Sequence, residues 1–572
     1  MPYSIDDQPA RPSHVRYVVV ALAALASFLL YLDRFCPSVL ERYIKEDLRL
    51  SDQQIALLFS AFFWSYALGQ VPSGWLGDHF GARLMLGLYI LLWSLFTGLM
   101  GVLVVLSALV LLRLGCGLAQ AGAYPTSGSL LSKWVPFSKR GQASSIVALG
   151  GRVGGALAPL LTAYLMLAFI PSDLPSLLGP DDVLDAHGLC QELGKPDDEP
   201  SSRLGRTILA SMPPSAADWV RRTAAASDDA EPIDDEPLRE GLNDVLTRPE
   251  LYNAIDVHDF ALEPEARELA RAPGKSLTSA QIERRNRLLL EAAFPRHVRK
   301  LYGSGWRPVM LVYGLVGVVA AGVFWLSYSN WPRQHPRCNA AEIALIEGSR
   351  PRDATSPHGQ VGGLPLRYLL RSRSLWLSSL SQFATNWGWI FLLTWLPRYL
   401  DEVHHVPIKE RGWMALTPTL VGIAGMFCGG WLTDRLVRDV GLRWGRRLPM
   451  ALTRFSAMAA YLACLWLHSP WPVVAALALV ALSVDLGTGS VWAFTQDVGG
   501  RHVGSVLGWG NMWGSFGAAV SIPLLDRLVA AYQPYGWDAA FVTCAAAFLV
   551  SGIAALGVDA TAPIVPPGDD AV

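Results

Sequence analysis

Charge is scarce in this sequence. Only 17% of its 572 residues are Asp, Glu, Lys or Arg, which argues against an ordinary soluble enzyme. Cysteine is sparse as well: the seven (Cys36, Cys116, Cys190, Cys338, Cys428, Cys464 and Cys544) show no CxxC or Cys/His spacing, so neither a disulfide framework nor a metal centre is expected. No GxxxxGK[ST] loop is present to drive primary active transport, and no nucleophile–base set suggests an enzyme. Gly150-Gly151-Arg152-Val153-Gly154-Gly155 looks only superficially like a phosphate loop, and close helix packing by small residues explains it better. Asp256-Val257-His258-Asp259 has ligand chemistry, but a surface turn accounts for it, so no metal or cofactor is expected. No small-residue cleavage site follows the first apolar run, which therefore reads as a retained signal anchor.

Hydrophobic residues, by contrast, make up 52% of the chain, with 21 Trp, 52 Gly and a mean hydropathy of +0.30. That composition is that of a polytopic membrane protein with no nucleic-acid role. The formal charge of −1 hides an asymmetry: residues 171–305 hold 25 acidic against 16 basic side chains, and the remainder is net basic.

A transmembrane helix needs about 20 apolar residues. By that ruler the sequence predicts twelve spans, near 15–40, 52–76, 84–105, 107–131, 142–170, 307–330, 374–400, 412–433, 448–468, 471–497, 504–530 and 537–558. The expected fold is all-α, two six-helix halves with a large extracytoplasmic insertion between helices 5 and 6. The boundaries are an N-terminal half at 1–170, an acidic, partly helical insertion at 171–305, helix 6 at 306–331, a linker at 332–372, a C-terminal half at 373–560 and a tail at 561–572. Lys133, Lys139, Arg140, Arg333, Arg337 and the arginines from Arg435 to Arg447 fall on one side, which places both termini in the cytoplasm. Within the insertion, 171–236 is expected to be only partly ordered. Short helices are expected at Leu238–Leu246 and Glu263–Arg271, and a stronger one at Ser276–Ala293 capped by Thr278 or Ser279.

An internal repeat supports the halving. Gly74-Trp75-Leu76-Gly77-Asp78-His79-Phe80-Gly81-Ala82-Arg83 follows span two, and Gly430-Trp431-Leu432-Thr433-Asp434-Arg435 follows span eight, with Gly445-Arg446-Arg447 completing the second copy. Such a turn suits a carboxylate that faces the positive end of a neighbouring helix.

The most informative stretch is Tyr31-Leu32-Asp33-Arg34. A charge in a membrane helix costs about 2.5–3.5 kcal/mol or more, which makes it a candidate functional group. Neighbours on a helix point about 100° apart, so Asp33 and Arg34 each need a partner from another helix. The competing reading is that the pair lies at a helix end and snorkels to water.

Together, the twelve spans, the repeated GxLxDxxGxR loop, Asp33-Arg34, the span-two run Leu58 to Ala67, and Arg113, Gly117 and Tyr124-Pro125 on span four resemble the major facilitator superfamily. Within it they are similar to the anion:cation symporter family of galactonate, glucarate and hexuronate transporters, sialin and vesicular glutamate transporters. The resemblance covers the membrane body and not 171–305. It implies a secondary transporter, not an enzyme, that takes up a small organic anion such as a sugar acid. The implied partners are protons and the lipid bilayer, the chain acting as a monomer in the plasma membrane. It further implies Arg34 beside the substrate carboxylate, Asp33 as a protonatable neighbour, and Tyr66, Arg113 and Asn511 as substrate-binding residues. The family's span-four glutamate is Gln120 here, which removes a titrating carboxylate. Coupling then runs through Asp33 alone, through Asp485 on span ten, or not at all. Arg152 adds positive charge on span five; Asn386 and Trp387 on span seven and Trp492 on span ten are further lining candidates, whereas Asp497 and Arg454 read as gate or loop residues. An uncoupled facilitator, an anion exchanger or a transporter-derived sensor are the alternatives.

Overall fold

A computed structural model describes residues 11–169, 176–226, 234–249, 251, 260, 264–271, 277–301, 305–348 and 361–565. Asp256-Val257-His258-Asp259 and the last part of the tail lie outside the described residues. The described chain is helical and divides into two compact units: residues Met1–Val39, Asp52–Thr162 and Met310–Val572 in one, and Leu40–Ser51 with Ala163–Val309 in the other.

In the larger unit, apolar composition and length together make long helices. Among the described residues, ten segments are long and apolar enough to cross a membrane. One of them exceeds any bilayer: helix Ile408–Ala463 has 56 residues, about 84 Å at 1.5 Å per residue, against a hydrocarbon core of about 30 Å. Gly441 resolves this, because its φ of +81° breaks the helix into two arms. The first motif copy has the same device at Gly81, with φ +89° between helices Asp52–Phe80 and Ala82–Met100. The second motif is therefore completed by Gly441 and Arg443, the counterparts of Gly81 and Arg83, after a turn four residues longer, rather than by Gly445-Arg446-Arg447.

The expected span at 374–400 is segmented. Helix Arg373–Ile390 passes through a π-helical stretch, Phe391–Trp395, into helix Leu396–Glu402. It falls outside the ten because its middle is rich in Ser, Thr, Gln and Asn. Ser381 and Thr385 meet Ser551 Oγ on helix Gly536–Leu556 at 2.9 and 2.8 Å.

Small residues bring helices together as the glycine-rich run suggests. A Cβ on Gly150 would lie 2.1 Å from the Ala24 carbonyl oxygen, and one on Gly154 2.4 Å from that of Phe28. The C-terminal half repeats the device, with Gly425 and Gly429 against the carbonyls of Leu482 and Leu486.

The smaller unit holds helices Glu41–Asp47, Ala186–Gly194, Pro200–Ser211, Pro214–Ala224, Glu236–Leu246, Pro264–Arg271 and Ser279–Ala293. The last carries a complete Thr278/Gln281 capping box. Its first three long helices occupy the stretch expected to be only partly ordered. Asp185 caps one through the Gly188 amide, Pro200 and Pro214 start the other two, and each buries a short apolar stripe such as Leu189, Cys190 and Leu193 or Leu204 and Ile208. So few apolar residues suffice for a helix when each falls on one face. Arg287, 1% exposed, binds Glu291 at 2.7 Å inside this unit.

Candidate functional site

The larger unit encloses a cavity of about 640 Å³ between its first and second sets of helices. Among the described residues its walls hold no Asp or Glu but three arginines: Arg34, Arg152 and Arg454. Aromatic rings and amides complete it, among them Tyr31, Tyr66, Tyr124, Gln382, Asn386, Trp389, Trp492 and Asn511. An apolar cavity with a few convergent polar groups is the form a small-ligand site takes.

Arg34 sits on helix Val15–Val39, with its guanidinium 4.2 Å from the Tyr66 ring and 4.8 Å from that of Tyr31. Its Nε donates to Gln120 Oε1 at 3.1 Å, and its Nη2 is buried without a hydrogen-bond partner. Gln120 therefore orients the arginine without neutralising it. No carboxylate lies within ion-pair distance of Arg34 among the described residues.

Asp33, its neighbour, turns away. It is 2% exposed, lies beside the Trp93 indole near Cys36 and Cys116, and is absent from the cavity wall. Arg113 also leaves the wall: it is 1% exposed, lies over Phe62 (4.6 Å) and Phe59 (5.3 Å), and its Nε and Nη1 have no hydrogen-bond partner. The Phe62 ring also lies 5.5 Å from the Arg34 guanidinium, so both cations contact one ring. The Arg113 expected at the substrate is thus placed behind the first layer. The reason is helix rotation, which faces Arg113 toward Phe59 and Phe62 instead of the cavity.

Arg152 lines the cavity and pairs with Asp485, Nη2 to Oδ1 at 2.6 Å, with its guanidinium 4.0 Å from the Trp389 ring. The pair joins helix Arg140–Ala168 to helix Pro470–Val498, one from each half. Arg454 is the residue that sequence reasoning assigned to a gate or loop. Instead it is 4% exposed on the cavity wall, donating to Thr453 Oγ1 (3.2 Å) and the Val484 carbonyl (3.4 Å), with Nε unpartnered. Its burial cost was the available signal, since a charge six residues inside an apolar span needs a reason. Asp497 pairs with Arg140 of the other half at 2.9 Å.

The two motif aspartates are each bound to the other half. Asp78 accepts from the Gly504 and Ser505 amides, both at 2.9 Å, and from Ser505 Oγ at 3.1 Å, at the start of helix Val503–Ala531. Asp434 accepts from the Gly141 and Gln142 amides, both at 2.9 Å, at the start of helix Arg140–Ala168. Helix N-termini offer unpaired N–H groups and a positive dipole end, so each carboxylate satisfies two donors and a field. Arg140 and Arg446 both bind Asp497, at 2.9 and 2.8 Å, and Arg446 reaches Asp434 at 3.6 Å. Of the motif glycines, Gly74 lies against the Gly504 carbonyl and Gly430 against Gly141, where a side chain has no room. Arg83 donates to the Trp325 carbonyl at 3.1 Å. Arg435, expected in this set, is exposed and faces Asp439 at 3.6 Å; Arg446 takes the buried role.

Residues 23–171 and 300–522 match the sequence pattern of the Major Facilitator Superfamily, well over half of the chain. The chain belongs to the major facilitator superfamily. It is a transporter, not an enzyme. Superfamily relatives include the probable galactarate/D-glucarate transporter GudP of Bacillus subtilis, 23% identical over 90% of this chain and 86% of the relative. The probable sulfoacetate transporter SauU of Cupriavidus necator is 23% identical over 96% and 93%. The probable L-galactonate transporter of Escherichia coli is 22% identical over 76% and 66%. They are relatives of the kind the anion:cation symporter resemblance implied. Among solved structures, the superfamily transporter FucP in its outward conformation superposes with a TM-score of 0.56 at 13% identity, covering 95% of this chain and 99% of FucP, which establishes the shared fold.

Proposed function

We propose that this superfamily member is a secondary transporter that takes up a small organic anion, a sugar acid such as a hexuronate, aldonate or aldarate, by alternating access. The observation that carries this reading is Arg34: a buried guanidinium on a cavity wall, bound by an amide and aromatic rings and left unneutralised. Arginine stays charged when buried and offers a two-pronged fork to a carboxylate. The names of GudP and the galactonate transporter point the same way.

In this reading the membrane body has twelve spans: the ten apolar ones, the second arm of Ile408–Ala463 and the polar-centred Arg373–Glu402 segment. The motif end, rich in Arg and Lys, faces the cytoplasm with both termini, the 171–305 insertion lies outside, and the locks at Asp78 and Asp434 hold an outward-facing monomer in the plasma membrane. Protons couple through Asp33 or Asp485, and Tyr66, Asn386 and Asn511 bind the substrate's hydroxyls. A second reading, an uncoupled facilitator or an exchanger, is favoured by Gln120, which holds Arg34 at 3.1 Å with a group that takes up no proton in this role.

The test is counterflow and proton flux in proteoliposomes with a panel of sugar acids. Saturable exchange that Arg34→Ala abolishes is the expected result. Uptake indifferent to Arg34, or no uptake of any acid, overturns the reading. Inward protons with uphill accumulation select the symporter, and exchange alone selects the second reading.

A further inference from the structure

The charge on the cavity wall does not balance for a single carboxylate. Arg34, Arg152 and Arg454 stand on it, and Asp485 compensates one of them through its 2.6 Å contact with Arg152. Asp33 and Arg113 lie behind the wall and offset each other in sign. Two positive charges therefore remain facing a cavity whose lining, among the described residues, holds no carboxylate. They come from different halves: Arg34 from helix Val15–Val39, and Arg454 from the second arm of helix Ile408–Ala463.

Each has spare donor capacity. Arg34 Nη2 and Arg454 Nε are buried and unpartnered. Arg454 is the more telling. Its only protein acceptors among the described residues are a hydroxyl and a carbonyl, both neutral, which is poor compensation for a guanidinium that is 4% exposed. Asp485 is near enough to act on it electrostatically but makes no ion pair with it among the described residues, its direct contact going to Arg152. A six-carbon acid chain, with its ends roughly 6 Å apart when extended, is small enough to lie within a cavity of about 640 Å³.

We propose that the substrate is a dianion carrying an acidic group at each end, one bound by Arg34 and the other by Arg454, so that Arg454 sets the preference for two charges over one. This rests on the reading of the cavity as an organic-anion site and narrows it. The dianion also ties the two halves together, since each end is held by a different half. A monoanion of the same skeleton leaves one guanidinium buried and unpaired, which is a selective penalty.

The experiment compares galactarate with galactonate, which differ only in a carboxylate against a hydroxymethyl at one end, for binding to the purified full-length chain. For the natural protein, galactarate binds at least about thirtyfold more tightly, the scale of one charge-assisted interaction. Arg454→Gln lowers galactarate affinity by at least about tenfold and leaves galactonate within about twofold, and Arg454→Lys recovers part of the preference. Thermal unfolding of both variants reports that the fold persists. Equal affinity of the natural protein for the two acids, or an equal loss for both in Arg454→Gln, overturns the dianion and leaves the organic-anion reading standing. If neither acid binds, both fall.

Discussion

Gln120→Glu places a carboxylate where an amide now meets Arg34, and its effect follows from one contact. The amide oxygen lies 3.1 Å from Arg34 Nε. A carboxylate there attracts the guanidinium by about 4 kcal/mol at 4 Å and an effective dielectric of 20, before the cost of burying the new charge. The net change is smaller. A charge-assisted bond is worth about 1.5–3 kcal/mol against about 0.5–1.5 for a neutral one, so the introduced group outcompetes Gln by roughly 1.5 kcal/mol. The substrate carboxylate must displace it to reach Arg34, and affinity at neutral pH should fall about tenfold. Protonation of the introduced carboxylate releases Arg34, so affinity should recover as pH falls, with at most a tenfold gain per pH unit. The assay is a dissociation constant for a transported sugar acid between pH 5.5 and 8.5, natural protein beside variant. If the variant binds at pH 8 as tightly as the natural protein, Arg34 does not hold the substrate. If affinity drops but shows no added pH dependence, the introduced group does not change protonation state between pH 5.5 and 8.5.

Four further outcomes are expected. Arg152→Ala leaves Asp485 buried without its 2.6 Å partner and should destabilise the protein by about 3–5 kcal/mol, whereas Arg152→Leu combined with Asp485→Leu should recover most of the loss in thermal melting. Gly150→Val and Gly425→Val each drive a Cβ into a backbone carbonyl and should each cost about 1–3 kcal/mol, read as a lower melting temperature in detergent. Thr278→Ala removes the capping box of helix Ser279–Ala293 at about 1 kcal/mol, visible as faster hydrogen exchange in its first turn in the full-length chain. Asp78→Asn and Asp434→Asn each weaken amide contacts at 2.9 Å and should widen the motif end, measured by spin-label distances between the halves; unchanged distances in both variants would contradict the lock.

The membrane helices were legible because hydrocarbon thickness imposes a length that no other solvent imposes. The π-helical break at Phe391–Trp395 and the long hairpin at Gly441 were not, since neither alters apolar composition. Partners were harder. The motif carboxylates were expected at helix N-termini, but nothing in a linear string says that Asp78 meets Gly504, 426 residues away, or that Arg152 meets Asp485. Facing was harder still: Arg113 and Arg454 are both arginines inside apolar spans, and only the rotation of their helices sends one toward Phe62 and the other to the cavity. The helices of 186–224 escaped composition because their apolar stripes are only two or three residues long.

Each half closes the motif end with a carboxylate that grips the other half's helix, so the two bolts are crossed. A carrier fails when both of its mouths stand open at once, because any gradient then drains through it. On the proposed alternating-access reading, a rocking motion that frees Asp78 from Gly504 and Ser505 also draws Gly141 and Gln142 off Asp434. At about 2 kcal/mol apiece, spontaneous release of both without compensating closure elsewhere is about a thousandfold disfavoured. On that reading the duplicated motif is insulation against leak, and a single damaged copy should leave a protein that still moves its cargo yet holds a gradient less well.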